Sequence, residues 1–132
     1  MLRKPVTVDV DSDLFSAIHQ ILVHKISGVI VIDETRRPVG MLSELDALRA
    51  ILTGSYHQEE VGMIPVADFM TSPVETIKAD EDIIDVAASM LDHKHRRRPV
   101  VDSHGVLVGQ MTCRRILKGI KDFDVGSDNK EG

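Results

Sequence analysis

Residues 28–46 read GVIVIDETRRPVGMLSELD. The first five positions are apolar throughout and rich in β-branched side chains, the pattern of a strand covered on both faces. The polar ETRRP stretch turns the chain, VGML returns as a second strand, and Ser43 opens a helix. Residues 97–115, RRPVVDSHGVLVGQMTCRR, repeat that order at an offset of 69 positions. The match runs without a gap from residues 7–51 onto 76–120 and includes Thr7/Thr76, Asp13/Asp82, His24/His93, Lys25/Lys94, Asp33/Asp102 and Gly40/Gly109. Two copies of one unit pack on each other because neither buries its apolar face alone, so the junction between them is expected to form a cleft with pseudo-twofold symmetry.

Each copy reads as strand, helix, two strands, helix. In the first, residues 6–8 are a strand, and Asp11, Ser12 or Asp13 caps a helix whose apolar positions Leu14, Ile18, Ile21 and Leu22 recur at helical spacing and which stops at Ser27-Gly28. A strand over 28–33, a second over 39–42 and a helix to about Leu52 follow. In the second copy the expected elements are a strand at 74–77, a helix from Asp80 to about His93, strands at 99–102 and 106–111, and a helix from Thr112 to about Asp122. The expected organisation is repeat 1 over 1–56, a polar linker or insertion over 57–69, repeat 2 over 70–122 and a flexible tail over 123–132. The polar stretch at 53–63 is expected to be irregular.

The chain has 132 residues, one cysteine (Cys113) and a net charge of −5. One cysteine excludes an internal disulfide and a cysteine-based zinc site. No apolar run is long enough to span a bilayer, and the basic start is not followed by the apolar core of a signal peptide, so a cytoplasmic location is expected. Acidic balance and 3% aromatic residues argue against a general nucleic-acid binder. His93 and His95 lack an obvious third metal ligand and stand beside arginines, so no metal is expected. No catalytic triad, HExxH or P-loop spacing occurs, and the chain is not expected to be an enzyme.

The segment Gly40 to Asp46 sets a hydroxyl, Ser43, at a strand-to-helix junction and a carboxylate, Asp46, three residues on. A helix N-terminus with a free hydroxyl favours phosphate, and a carboxylate accepts from both vicinal hydroxyls of a ribose. The same S-x-x-D spacing is also a capping box, which needs no ligand. Both readings stand on spacing alone.

The G-x-x-[ST]-x-x-D ending, together with Met70-Thr71-Ser72-Pro73 leading into the second copy, resembles the CBS domain family, named after cystathionine β-synthase. The likeness covers about Pro5 to Ile120, as a tandem pair or Bateman module. It implies an α/β fold of two pseudo-twofold-related β-α-β-β-α repeats packed through their sheets. It further implies binding of an adenosine-containing ligand between the repeats: AMP, ADP or ATP, with S-adenosylmethionine or NAD as alternatives, and no covalently bound cofactor. In the family the motif Asp holds the ribose hydroxyls and the Ser/Thr lies beside the phosphate or ribose, which assigns Asp46 and Ser43. The segment leading into the second repeat and the residues before its middle strand wall the base, which assigns Thr71, Ser72, His95 and Arg96.

The second copy keeps the hydroxyl as Thr112 but carries Arg115 where the acidic residue belongs, and a guanidinium cannot accept from a ribose hydroxyl. The run TCRRILK over 112–118 resembles a repeat of the γ subunit of the AMP-activated protein kinase, where the same exchange accompanies an unoccupied site. That resemblance also implies that Arg96, Arg97 and Arg114 hold phosphates, with Arg115 able to contribute. Arg98 alternates toward the other side of its strand. The family further implies a homodimer, and an effector protein as a separate partner. A ligand-free dimerisation scaffold and a polyanion or RNA binder using residues 93–98 are the alternatives.

Overall fold

The computed structural model describes residues 5–56 and 61–131. Two three-stranded sheets carry the chain, ordered β1-β2-β3 and β4-β5-β6. The first unit comprises β1 (Thr7–Asp9), α1 (Leu14–His24), β2 (Gly28–Ile32), β3 (Pro38–Ser43) and α2 (Glu44–Tyr56). The second comprises β4 (Ile77–Lys78), α3 (Ile83–His93), β5 (Arg97–Val101), β6 (Leu107–Thr112) and α4 (Cys113–Glu131). In each sheet the middle strand pairs in parallel with the first and antiparallel with the third.

The repeat extends to fine backbone detail. Both first helices end on a lysine in the left-handed conformation, Lys25 at φ 53° and Lys94 at φ 57°. Their amides cap the preceding carbonyls, so each helix stops before the serine or arginine that follows. The two hairpin turns place Arg36 (φ 64°) and Gly105 (φ 83°) at matching positions. The register slips between Val31 and Ile32 and again between Val100 and Val101. Asp13 caps α1 by accepting from the Ser16 amide at 2.8 Å, and Asp82 caps α3 by accepting from Ile84 at 2.8 Å.

Strand β2 is buried at every position, and its alternation divides two cores. Val29 and Val31 face α1 and α2 with Leu14, Ile21, Leu42 and Ala50. Ile30 and Ile32 face the other sheet and pack with Leu107, so the units meet through their sheets. The hairpins also touch: Leu107 N donates to Arg36 O and Arg37 Nε to His104 O, both at 2.9 Å. The second helical core is smaller, built on Ile77, Val86, Met90 and Val100, because Arg98 occupies the place that Val29 fills in the first.

Several boundaries differ from those read in the sequence. Helix α2 runs to Tyr56, past Leu52, so residues 53–56 are helical rather than irregular; residues 57–60 of the expected linker lie outside the described residues. Ile64 and Val66, within that linker, are buried in the first core. They are held by Leu14 N donating to Ile64 O at 2.8 Å and Val66 N to Ser12 O at 3.0 Å. Burial of such a side chain stabilises by about 1.5–3 kcal/mol, which outweighs the polar composition around it. Strand β4 starts at Ile77 rather than Val74, and β5 begins at Arg97, so part of the basic run is itself strand. Helix α4 continues to Glu131, beyond the Asp122 boundary and through the stretch expected as a tail, since an established helix gains one bond per added residue.

Candidate functional site

The junction of β3 with α2 is a complete capping box. The Ser43 hydroxyl accepts from Asp46 N at 3.1 Å, and Asp46 Oδ2 accepts from Ser43 N at 3.0 Å. Asp46 Oδ1 also accepts from Arg49 Nη2 at 2.9 Å. Asp46 is 8% exposed, one of few buried polar side chains. A carboxylate offers about four acceptor directions, so two remain for a ligand, and the Ser43 hydroxyl keeps its hydrogen to donate.

The segment leading into the second unit lies against β3. Met41 N donates to Thr71 O at 3.1 Å and Thr71 N to Met41 O at 2.8 Å, an isolated antiparallel bridge. Gly40 permits this approach: a Cβ there would come 2.8 Å from Met70 Cγ and 3.0 Å from the Thr71 carbonyl oxygen. The motif glycine is therefore a packing requirement.

Between this floor and the corner joining α3 to β5 lies a cleft of about 450 Å³. The first unit contributes Ser27, Gly28 and residues 41–46, and the second contributes Thr71 and residues 73–75 and 94–98. Of the residues singled out in the sequence, Ser43, Asp46, Thr71, His95, Arg96 and Arg97 come together here. Ser72 does not line the cleft; its hydroxyl donates to Val39 O at 3.0 Å. Thr112, Arg114 and Arg115 also lie outside this lining, at the start of α4, the counterpart of the Ser43 to Asp46 position. There Thr112 Oγ1 accepts from Arg115 N at 3.0 Å, and the arginine returns no bond.

Arg97 crosses between the units. Its Nη2 donates to Ser27 Oγ at 2.7 Å and its Nη1 to Gly28 O at 3.2 Å. Burial lowers its pKa, with Glu44 opposing, and the group remains a cation. Sequence reasoning missed Lys94, Glu75 and above all Arg98, which is 4% exposed and lines the cleft. Lys94 was detectable in principle as the helix-ending counterpart of Lys25. Arg98 was not, because strand alternation sends it away from Arg97. The ion pair among the described residues joins Asp46 to Arg49, so the cleft cations Lys94, Arg96, Arg97 and Arg98 have no carboxylate partner there. Burial, then Arg98, then His93 lower the His95 pKa below 6.5, with Glu75 opposing. Among the described residues no group of three or more histidine, cysteine, aspartate or glutamate side chains is arranged to hold a metal, and no helix is long and apolar enough to cross a membrane.

A family model described as CBS domain matches residues 1–53 and 66–122. An uncharacterized protein of Methanopyrus kandleri, MK0525, is 30% identical over 95 residues, 72% of this chain and 47% of that protein. The inosine-5'-monophosphate dehydrogenase of Aquifex aeolicus is 36% identical over 120 residues, 89% of this chain but 23% of the dehydrogenase. The chain thus spans less than half the length of these two relatives. A solved structure described as CBSX2 in complex with AMP superposes with a TM-score of 0.80 at 25% identity, covering 92% of this chain and 90% of that one.

Proposed function

This chain belongs to the CBS domain family, and from that premise we propose that it is a regulatory module binding an adenine nucleotide, AMP, ADP or ATP, in the cleft between its repeats. One observation carries the reading. The same 450 Å³ cleft holds a helix-start carboxylate with acceptor capacity to spare and, facing it, cations without carboxylate partners among the described residues. That suits a ligand with a vicinal diol at one end and phosphate at the other. A volume of this order is usual for small-molecule sites, and the likeness to a protein solved with AMP supports the reading. The module has no catalytic role. Arg115 leaves the second-repeat position without a ribose acceptor, so one nucleotide site per chain is proposed.

The nucleotide bridges both repeats, stabilises one arrangement of them, and passes that arrangement to a separate effector protein in the cytoplasm. The acting form is a homodimer. This part rests on large exposed apolar residues: Leu22, Leu45 and Leu48 on α1 and α2, and Leu91, Leu117 and Ile120 on α3 and α4. The same residues favour the second reading, a scaffold that dimerises without ligand.

A thermal-shift panel with AMP, ADP, ATP with and without magnesium, S-adenosylmethionine, 5'-methylthioadenosine and NAD tests the proposal on wild type and Asp46→Ala. Stabilisation by a phosphorylated adenosyl ligand, lost in the variant, is expected. A flat panel beside a stable dimer in sedimentation would favour the scaffold.

A further inference from the structure

Arg98 is a buried cation in a region with little to balance it. It stands on β5 where the first repeat has the core residue Val29, and among the described residues no carboxylate pairs with it. Its Nε donates to His95 Nδ1 at 3.1 Å. Its Nη2 lies 3.3 Å from His93 Nδ1, but that nitrogen is also 2.8 Å from the Ser89 carbonyl oxygen. A carbonyl oxygen only accepts, so with Nδ1 of His93 bonded to it that nitrogen carries a hydrogen and is no acceptor for the arginine. His95 Nδ1 is then the side-chain acceptor for the Arg98 Nε hydrogen. Leaving a buried guanidinium hydrogen unmade is costly, and a second cation beside it costs more.

We infer that Arg98 locks His95 in the neutral Nε2–H tautomer and thereby makes it a hydrogen-bond donor in the cleft, so that the ligand must present an acceptor atom to it. The inference rests on the cleft being the nucleotide site proposed above. The groups around the imidazole agree with a neutral ring. Arg98 on β5 and His93 at the end of α3 disfavour a charge, and Glu75 ahead of β4 opposes them more weakly. Lys94 and Arg96, its chain neighbours in the cleft lining, add positive charge, and from α4 Cys113 Sγ meets its backbone oxygen rather than the ring. Arg98 is a positioning residue, acting on the ligand through His95. The acceptor is a purine ring nitrogen or a phosphate oxygen, both of which adenine nucleotides carry.

Two measurements test this. The ¹⁵N ring signals of His95 in the ligand-free protein are expected to show Nε2 protonated and Nδ1 bare at neutral pH, with the ring titrating below the ordinary histidine value of 6.5. In Arg98→Leu, which puts an aliphatic side chain where the first repeat has one, the two tautomers should mix and the ring should titrate at higher pH. A proton on Nδ1 in wild type, or an unchanged spectrum in Arg98→Leu, overturns the lock. Calorimetric titration of AMP is expected to be weaker by about tenfold in His95→Phe and in Arg98→Leu, with no further loss in the double variant. Additive losses, or none, overturn the coupling to ligand. Adenosine and ribose 5-phosphate titrated in parallel tell a base acceptor from a phosphate acceptor by which one loses affinity in His95→Phe. A wild type that binds none of the three, nor ADP or ATP, overturns the nucleotide reading and the ligand half of this inference, while the ring spectrum still decides the lock.

Discussion

Arg97 of the second repeat donates through Nη2 to the Ser27 hydroxyl of the first at 2.7 Å, across the junction of the two units. At the repeat offset Arg97 is the counterpart of Gly28, whose carbonyl it also reaches. The position that must lack a side chain in one copy, where a Cβ would sit 2.9 Å from the Leu42 carbonyl oxygen, supplies the strap in the other. Hydrogen bonds from a charged donor are worth about 1.5–3 kcal/mol. Arg97→Ala is expected to lower unfolding free energy in urea by about 2 kcal/mol, and Ser27→Ala by about 1 kcal/mol. An unchanged midpoint in both would mean that the strap contributes nothing.

Asp46 carries a structural and a binding role that separate by measurement. Asp46→Ala removes half of the capping box, at a cost of about 1 kcal/mol. It should also weaken AMP binding at least about tenfold, 1.4 kcal/mol. Calorimetry well below the unfolding transition isolates the second effect. A variant that loses stability but keeps its affinity would leave Asp46 as a cap alone.

Arg115→Asp is expected to restore in the second repeat the reciprocal bond that Asp46 makes in the first. Thr112 already accepts from residue 115, and an anion in place of a cation at a helix N-terminus gains about 0.3–1 kcal/mol. Thermal unfolding of the variant should therefore move up by a few degrees. A fall would show that Arg115 makes a stabilising interaction of its own.

Acid should act through the two hairpin turns. Asp33 Oδ1 accepts from Thr35 Oγ1 at 2.6 Å, Thr35 N at 2.8 Å and Arg37 N at 3.0 Å, which holds its pKa below 3.8. Its counterpart Asp102 accepts from Val106 N at 3.0 Å and His104 N at 2.8 Å and is lowered likewise. A carboxylate depressed in the folded state contributes stability that is complete above its unfolded value and is lost as pH falls through the lower folded one. Urea midpoints should therefore drop below the ordinary carboxylate value, in addition to the earlier decline, from the ordinary histidine value downward, that the lowered His95 pKa contributes. The drop should be shallower in Asp33→Asn and Asp102→Asn, and equal slopes in all three proteins would remove the turns from the account.

The repeat, its element order and the Ser43 to Asp46 box were legible in the sequence because they rest on short-range regularities. Strand alternation, helical spacing, a cap and its partner three residues on are all written within one turn of chain. So was the match of Asp33 with Asp102 at the repeat offset. The burial of Ile64 and Val66 was not, because packing against a distant surface overrides local polarity, and the ends of α2 and α4 were not, because an established helix gains one bond per added residue whatever the local composition.

The site divides in the same way. Sequence alone determined which residue types stand at each helix start, and that Arg115 breaks the pattern. Tertiary structure alone decided that Ser72 turns its hydroxyl to Val39 and that Gly40 admits Met70 and Thr71. It also decided that Arg98, alternating away from Arg97 as its strand requires, returns to the cleft through His95. A side chain's direction from the backbone follows the local period, but the partner at the end of a long flexible stem depends on which elements, far apart in the chain, have been folded beside it.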